Sequence, residues 1–103
     1  MAHEAMFIRV VSQSRCPTGR LVMTAGVDEL VRQGRLNPSS YLRRHIGGAW
    51  GDLSDDDRRQ NAAALTSGAD RLFSSYQVTR DLKLWIITEW DRSVTTLLLP
   101  SEY

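Results

Sequence analysis

Seven residues have types and spacings suited to chemistry: His45, Arg71, Ser74, Tyr76, Glu89, Asp91 and Arg92. His45 follows Arg43-Arg44 at the end of a short helical stretch. It can serve as a general acid or base, and it can equally complement the helix dipole and bond the last free carbonyls. Glu89 stands beside Trp90, one residue inside a strongly apolar run, where partial desolvation would suit it to proton transfer. His45 and Glu89 are therefore the candidate catalytic pair. Arg92 can hold an anionic intermediate, or it can pair with Glu89 or Asp91 and fix a turn; exposed pairs of that kind contribute ~0–1 kcal/mol. Arg71, Ser74 and Tyr76 could offer charge, a donor and a stacking surface to a phosphate or base ligand. They are also ordinary residues for a half-exposed strand, with Arg71 paired to Glu89. Trp50, Trp85, Asp91, Arg92 and Thr95 complete the candidate substrate- or partner-binding set. The sequence has no Gly-rich phosphate loop, paired-His metal spacing, serine elbow or zinc-finger spacing, so no metal and no cofactor is expected.

The elements that must position these residues follow from local signals. Asn37-Pro38 starts a helix over residues 38–46, with Asn as cap and Pro where its missing N–H costs nothing; Gly47-Gly48 stops it. Ser54 caps a second helix running to about Thr66; Asp55, Asp56 and Asp57 sit at its positive end, and Gly68 closes it. Between them, Trp50 anchors a glycine-rich connection to a core. Val27, Leu30 and Val31 have helical spacing over residues 26–33, behind Thr24. Phe7–Val11 and Leu21–Thr24 have strand composition, with a turn at Cys16-Pro17-Thr18-Gly19.

Residues 71–79, 82–90 and 93–99 read as three strands of an antiparallel meander. Leu72, Ser74, Tyr76 and Val78 share one face of the first. A two-residue turn at Asp91-Arg92 would pair Thr88 with Thr95, Ile86 with Leu97, Ile87 with Thr96 and Trp85 with Leu98. Both sheet faces are then substantially apolar. Helices cover one, and the other must meet the N-terminal region, a second subunit or a ligand. The expected fold class is α+β, with two or three short helices packed on an antiparallel meander of three to four strands.

A length of 103 residues bounds this to one domain with a core of its own. The net charge of +1 gives no bulk signal for nucleic acid or for an acidic mimic of it. Residues 1–51 carry seven Arg against three acids, and residues 52–103 carry six Arg/Lys against nine acids, which allows a basic and an acidic face. The single cysteine, Cys16, forms no intramolecular disulfide, and no apolar run reaches the ~20 residues of a membrane span. A cytoplasmic protein without membrane contact is expected.

The pattern His45-x-x-Gly48-x-Trp50-Gly51-Asp52-Leu53, then Asp56/Asp57, Asn61, Ala64-Leu65, Gly68 and Arg71-Leu72-x-Ser74-x-Tyr76 leads into the ending WIITEWDRSVTTLLLPSEY. It resembles a family of small bacterial proteins carried on plasmids and integrative elements, some of them labelled restriction-modification subunits. The resemblance spans roughly residues 20–103 and leaves residues 1–19 as a variable N-terminal extension. This chain departs from it at Trp90, where a small residue is usual, and at Thr24-Ala25-Gly26, where Pro is expected after Thr. The resemblance implies a signature of His45, Trp50, Asp52, Asn61, Arg71, Ser74, Tyr76, Glu89, Asp91, Arg92 and Thr95, and no activity.

Two functions are expected from these readings. The first is an accessory or interaction protein of bacterial mobile elements, binding protein or nucleic acid through its sheet face, in one form as a homodimer. The second is a small metal-independent phosphoryl-transfer enzyme, by analogy with ribonuclease toxins of the RelE/barnase type, with Arg71 and Arg92 on the phosphate and His45 or Glu89 exchanging protons.

Overall fold

Two capping residues punctuate the helical half of the chain. Asn37 accepts from Ser39 N–H at 3.2 Å and Ser54 from Asp57 N–H at 3.1 Å, and the helices they open end at Gly47 and at left-handed Gly68. The computed structural model describes residues 18–68 and 70–103. In chain order the elements are β1 (Arg20–Met23), α1 (Ala25–Arg32), α2 (Pro38–Ile46), α3 (Asp55–Ser67), β2 (Leu72–Thr79), β3 (Leu82–Thr88) and β4 (Val94–Leu98). A 3-10 turn at Pro100–Glu102 follows β4. The strand expected at Phe7–Val11 and the Cys16-Pro17 half of the first turn lie outside the described residues.

The class is α+β, as expected. The sheet has four strands in the order β1-β4-β3-β2. β2, β3 and β4 form the antiparallel meander, but β1 joins β4 in parallel, so the sheet is mixed. The reason lies in the connections. Short turns force antiparallel neighbours, whereas β1 and β2 are separated by three helices, long enough to carry the chain back to the starting end of the sheet.

The hairpin register is the expected one: Thr88 faces Thr95, Ile87 faces Thr96, Ile86 faces Leu97 and Trp85 faces Leu98. β3 nevertheless stops at Thr88, earlier than the sequence reading had it. Arg92 N–H bonds Glu89 C=O at 2.9 Å, and Arg92 takes φ +61°, so the reversal occupies Glu89 to Ser93 rather than two residues.

Side chains alternate across the sheet. Leu21, Met23, Tyr76, Leu84, Ile86 and Leu97 point inward and pack with Val27, Leu36, Leu42 and Ile46. Each such side chain contributes ~1.5–3 kcal/mol when fully buried. α3 is anchored differently. Its apolar contact is Ala64 on Leu72, with half-buried Leu65 beside it. Polar contacts to backbone add to it, and those of Asn61 fall on the edge of β2. Asn61 mimics a strand: its Nδ2 donates to Phe73 C=O at 2.6 Å and its Oδ1 accepts from Phe73 N–H at 3.0 Å. Two residues on, Ser75 N–H donates to Trp50 C=O at 3.1 Å and Asp52 N–H donates to Ser75 C=O at 2.7 Å. Gly51, at φ +78°, makes that second contact feasible, because a Cβ there would lie 2.1 Å from Ser75 O. The outward backbone groups of an edge strand at Phe73 and Ser75 are thereby closed to another strand.

Candidate functional site

Four elements meet around His45. α2 presents the imidazole to the inner sheet face, where alternation has already placed Ser74 on β2, Thr88 on β3 and Thr95 on β4. His45 Nδ1 lies 2.6 Å from Ser74 Oγ, and Nε2 lies 2.9 Å from Thr88 Oγ1. Thr88 Oγ1 lies 2.7 Å from Thr95 Oγ1, and Thr95 donates to Thr18 C=O at 2.8 Å. Hydrogen positions follow by counting from that terminal carbonyl, which can only accept. Thr95 spends its proton on Thr18, so Thr88 donates to Thr95. Thr88 then has none left, so His45 donates from Nε2. Nδ1 is the bare nitrogen, and Ser74 donates to it. The chain is polarised in one direction and fixes one tautomer of a neutral ring.

The charge state agrees with the geometry. Burial lowers the His45 pKa from 6.5 to about 4, because an imidazolium there would lose its water shell. Ser74, Thr88 and Thr95 are fully buried, and His45 is 1% exposed. A serine donating to a neutral imidazole resembles an activated nucleophile, but no substrate reaches this one.

The other expected site residues separate into distinct places. Glu89 does not meet His45. Thr88 bonds His45 on the inner face, and Glu89 is the next residue along the chain, half-exposed at the start of the turn. Among the described residues its hydrogen bonds are through its backbone: N–H to Val94 C=O at 3.0 Å, and its carbonyl accepting from Arg92. The Arg92 guanidinium is engaged by backbone carbonyls. Nη1 donates to the carbonyls of Asp70 at 2.7 Å, Glu89 at 3.1 Å and Trp90 at 3.2 Å, and Nη2 to Ala64 at 3.2 Å. It ties the hairpin tip to the last turn of α3, where the dipole favours a cation. Asp91 accepts from Ser93 N–H at 3.0 Å and Ser93 Oγ at 2.6 Å, and those bonds hold its carboxyl below the usual range.

Ser74, Tyr76 and Thr95, read from sequence as ligand contacts, face the helices instead. Tyr76 is 1% exposed. Its hydroxyl donates to Ala49 C=O at 2.6 Å, pinning the connection after α2, and the Arg44 guanidinium stands 4.6 Å from its ring centroid. Burial raises the Tyr76 pKa. Half-buried Trp50 serves through its carbonyl on Ser75.

Arg71 and Trp85 do come together, on the opposite side of the sheet. Trp85 packs edge-on against Phe73 at 5.1 Å and against Tyr103 at 5.7 Å between centroids. Arg71 Nη1 donates to the Tyr103 hydroxyl at 2.7 Å. Around this aromatic row the outer face continues, by the register of the four strands, through exposed Lys83, half-buried Val22, Val94 and Thr96, and buried Ile87 and Leu98. Among the described residues it is the C-terminal turn, through Tyr103, that packs on this face. Phe73 was legible as outward-facing from its alternation with Leu72. Tyr103 was missed because its neighbour Trp85 is remote in sequence.

Tyr103 is held in place by the residue before it. Glu102 accepts from Gly26 N–H at 2.9 Å and Leu99 N–H at 2.8 Å, and from the Thr24 hydroxyl. Thr24 occupies the cap position of α1 without capping it; the Glu102 carboxylate does so from the other end of the chain.

The fold and site together define a two-layer α+β domain with a sealed polar chain under its helices and an aromatic, cation-flanked outer sheet face. Comparison with protein families, with curated proteins and with solved structures finds no match to this chain. No helix among the described residues is long and apolar enough to cross a membrane.

Proposed function

We propose that this protein is a binding module, and that its outer sheet face engages a macromolecular partner, protein or nucleic acid. The observation that carries this reading is the row Phe73–Trp85–Tyr103 with Arg71, whose outermost ring, Tyr103, is 71% exposed. Aromatic rings beside arginine supply most of the energy in many interfaces. The expected catalytic set is meanwhile dispersed: His45 is sealed and neutral, Glu89 stands half-exposed at the turn, and Arg92 is spent on carbonyls. The resemblance of the C-terminal motif supports placing the module among cytoplasmic accessory proteins of bacterial mobile elements.

A photoreactive amino acid tests the face in living cells. Placed at Thr96 on the outer face it should give a discrete crosslinked species, and placed at exposed Ala62 on α3 it should give none. Equal crosslinking at both positions, or none at Thr96, would overturn the reading.

A further inference from the structure

The outer face has a second feature at one end. The β2–β3 turn and the C-terminal turn enclose an open hollow of about 500 Å³ whose lining includes Gln77, Arg80, Asp81, Lys83, Pro100 and Ser101. Gln77 is occupied, its Nε2 donating to Thr79 C=O at 2.7 Å, with Arg80 and Leu82 carbonyls at 3.4 and 3.3 Å. Arg80 and Lys83 are exposed, and among the described residues neither forms a salt bridge. Lys83 lies across from Gln77 and two residues before Trp85, so it shares the face of the aromatic row one repeat away. Arg71 flanks the other end of that row. The face thus reads, along the strands, as two cations and one acid, then edge-to-face rings, then Arg71 with Asp70 beside it.

We infer that the partner of this face is a single-stranded nucleic acid, its backbone phosphates against Arg80, Lys83 and Arg71 and its bases on Trp85 and Tyr103. The inference rests on the outer face being the binding surface. Charge complementarity selects the occupant: a polyanion meets cations at both ends, while unstacked bases meet aromatic edges and faces between them. A duplex offers no free base faces to those rings.

The test is fluorescence anisotropy of a labelled ten-nucleotide single-stranded RNA of mixed sequence, titrated with the full chain. Three phosphate contacts should weaken binding by roughly 20-fold between 50 and 200 mM salt. Arg80→Glu with Lys83→Glu, both at exposed positions, should weaken it at least tenfold. Tyr103→Ala, at a ring 71% exposed, should weaken it severalfold without unfolding the chain. The matched duplex should bind more weakly than the single strand. No saturable binding up to 100 µM, or binding indifferent to these substitutions, would overturn the inference. Sedimentation of the same variants separates the two readings. If RNA fails to bind but Tyr103→Ala changes the sedimentation coefficient, the face serves a second copy, and the nucleic-acid inference alone is lost. If neither changes, the nucleic-acid inference is lost, and crosslinking at Thr96 alone decides whether the face binds another protein.

Discussion

Ser74 Oγ lies 2.6 Å from His45 Nδ1, and both residues are sealed from solvent beneath α2. Burial of the pair disfavours protonation of the ring within the fold. The folded pKa, about 4, lies below the ordinary 6.5 of an unfolded chain. Between those values the unfolded chain takes up a proton that the folded one refuses. Stability is therefore complete above pH 6.5 and declines as the pH falls toward 4, by ~3 kcal/mol for a shift of this size. Urea unfolding at pH 7.5 and 4.5 checks this, and His45→Gln should flatten most of the slope. An equal slope in the variant would assign the effect to other groups.

The counted hydrogens make a second prediction. His45 should be the Nε2–H tautomer, with Nδ1 accepting, which ¹⁵N chemical shifts of the ring report directly. Thr88→Val leaves Nε2–H without its acceptor and should cost about 1–3 kcal/mol. Thr88→Ser keeps the hydroxyl and should recover most of that loss. If Val and Ser cost the same, packing rather than the hydrogen-bond chain is what Thr88 supplies.

At the edge of β2, Asn61 is needed as an amide and not as an acid. Asn61→Asp keeps the acceptor for Phe73 N–H but opposes Phe73 C=O with a carboxylate. It should destabilise the fold by about 1–3 kcal/mol and speed amide exchange at Phe73. Unchanged exchange at Phe73 would show that the edge closes without the side chain.

Glu102 joins the two ends of the described chain. Glu102→Ala should cost about 1 kcal/mol, less at high salt, through loss of the α1 cap. Gly26 makes room for that cap: a Cβ there would stand 2.7 Å from Glu102 Oε2 and 2.8 Å from Leu99 Cδ1. Gly26→Ala and Glu102→Ala should therefore be non-additive in thermal unfolding. Strict additivity would mean that the carboxylate does not act on Gly26.

The sequence exposed what is local. Asn37 and Ser54 marked their helices because capping is decided within three residues, and the meander register followed from the two-residue period of strands. What it concealed is set by long-range packing. β1 pairs in parallel because three helices intervene before β2, and nothing near Leu21 encodes that. Alternation put Ser74 and Tyr76 on one face without saying which face the helices would cover, so buried residues read as ligand contacts. His45 meets Ser74 and Thr88 across 29 and 43 residues, and Glu102 reaches Gly26 across 76. Glu89 looked reactive because an acid inside an apolar run suggests desolvation, yet the strand ends one residue earlier.

Binding and not proton transfer is the central claim, and RNA cleavage is where the two diverge most plainly. The measurement is incubation of single-stranded RNA with stoichiometric protein, followed by denaturing electrophoresis, for the wild type, His45→Gln and Glu89→Gln. Intact RNA in all three lanes is the expected result. Cleavage by the wild type that either substitution abolishes in a folded chain would contradict it.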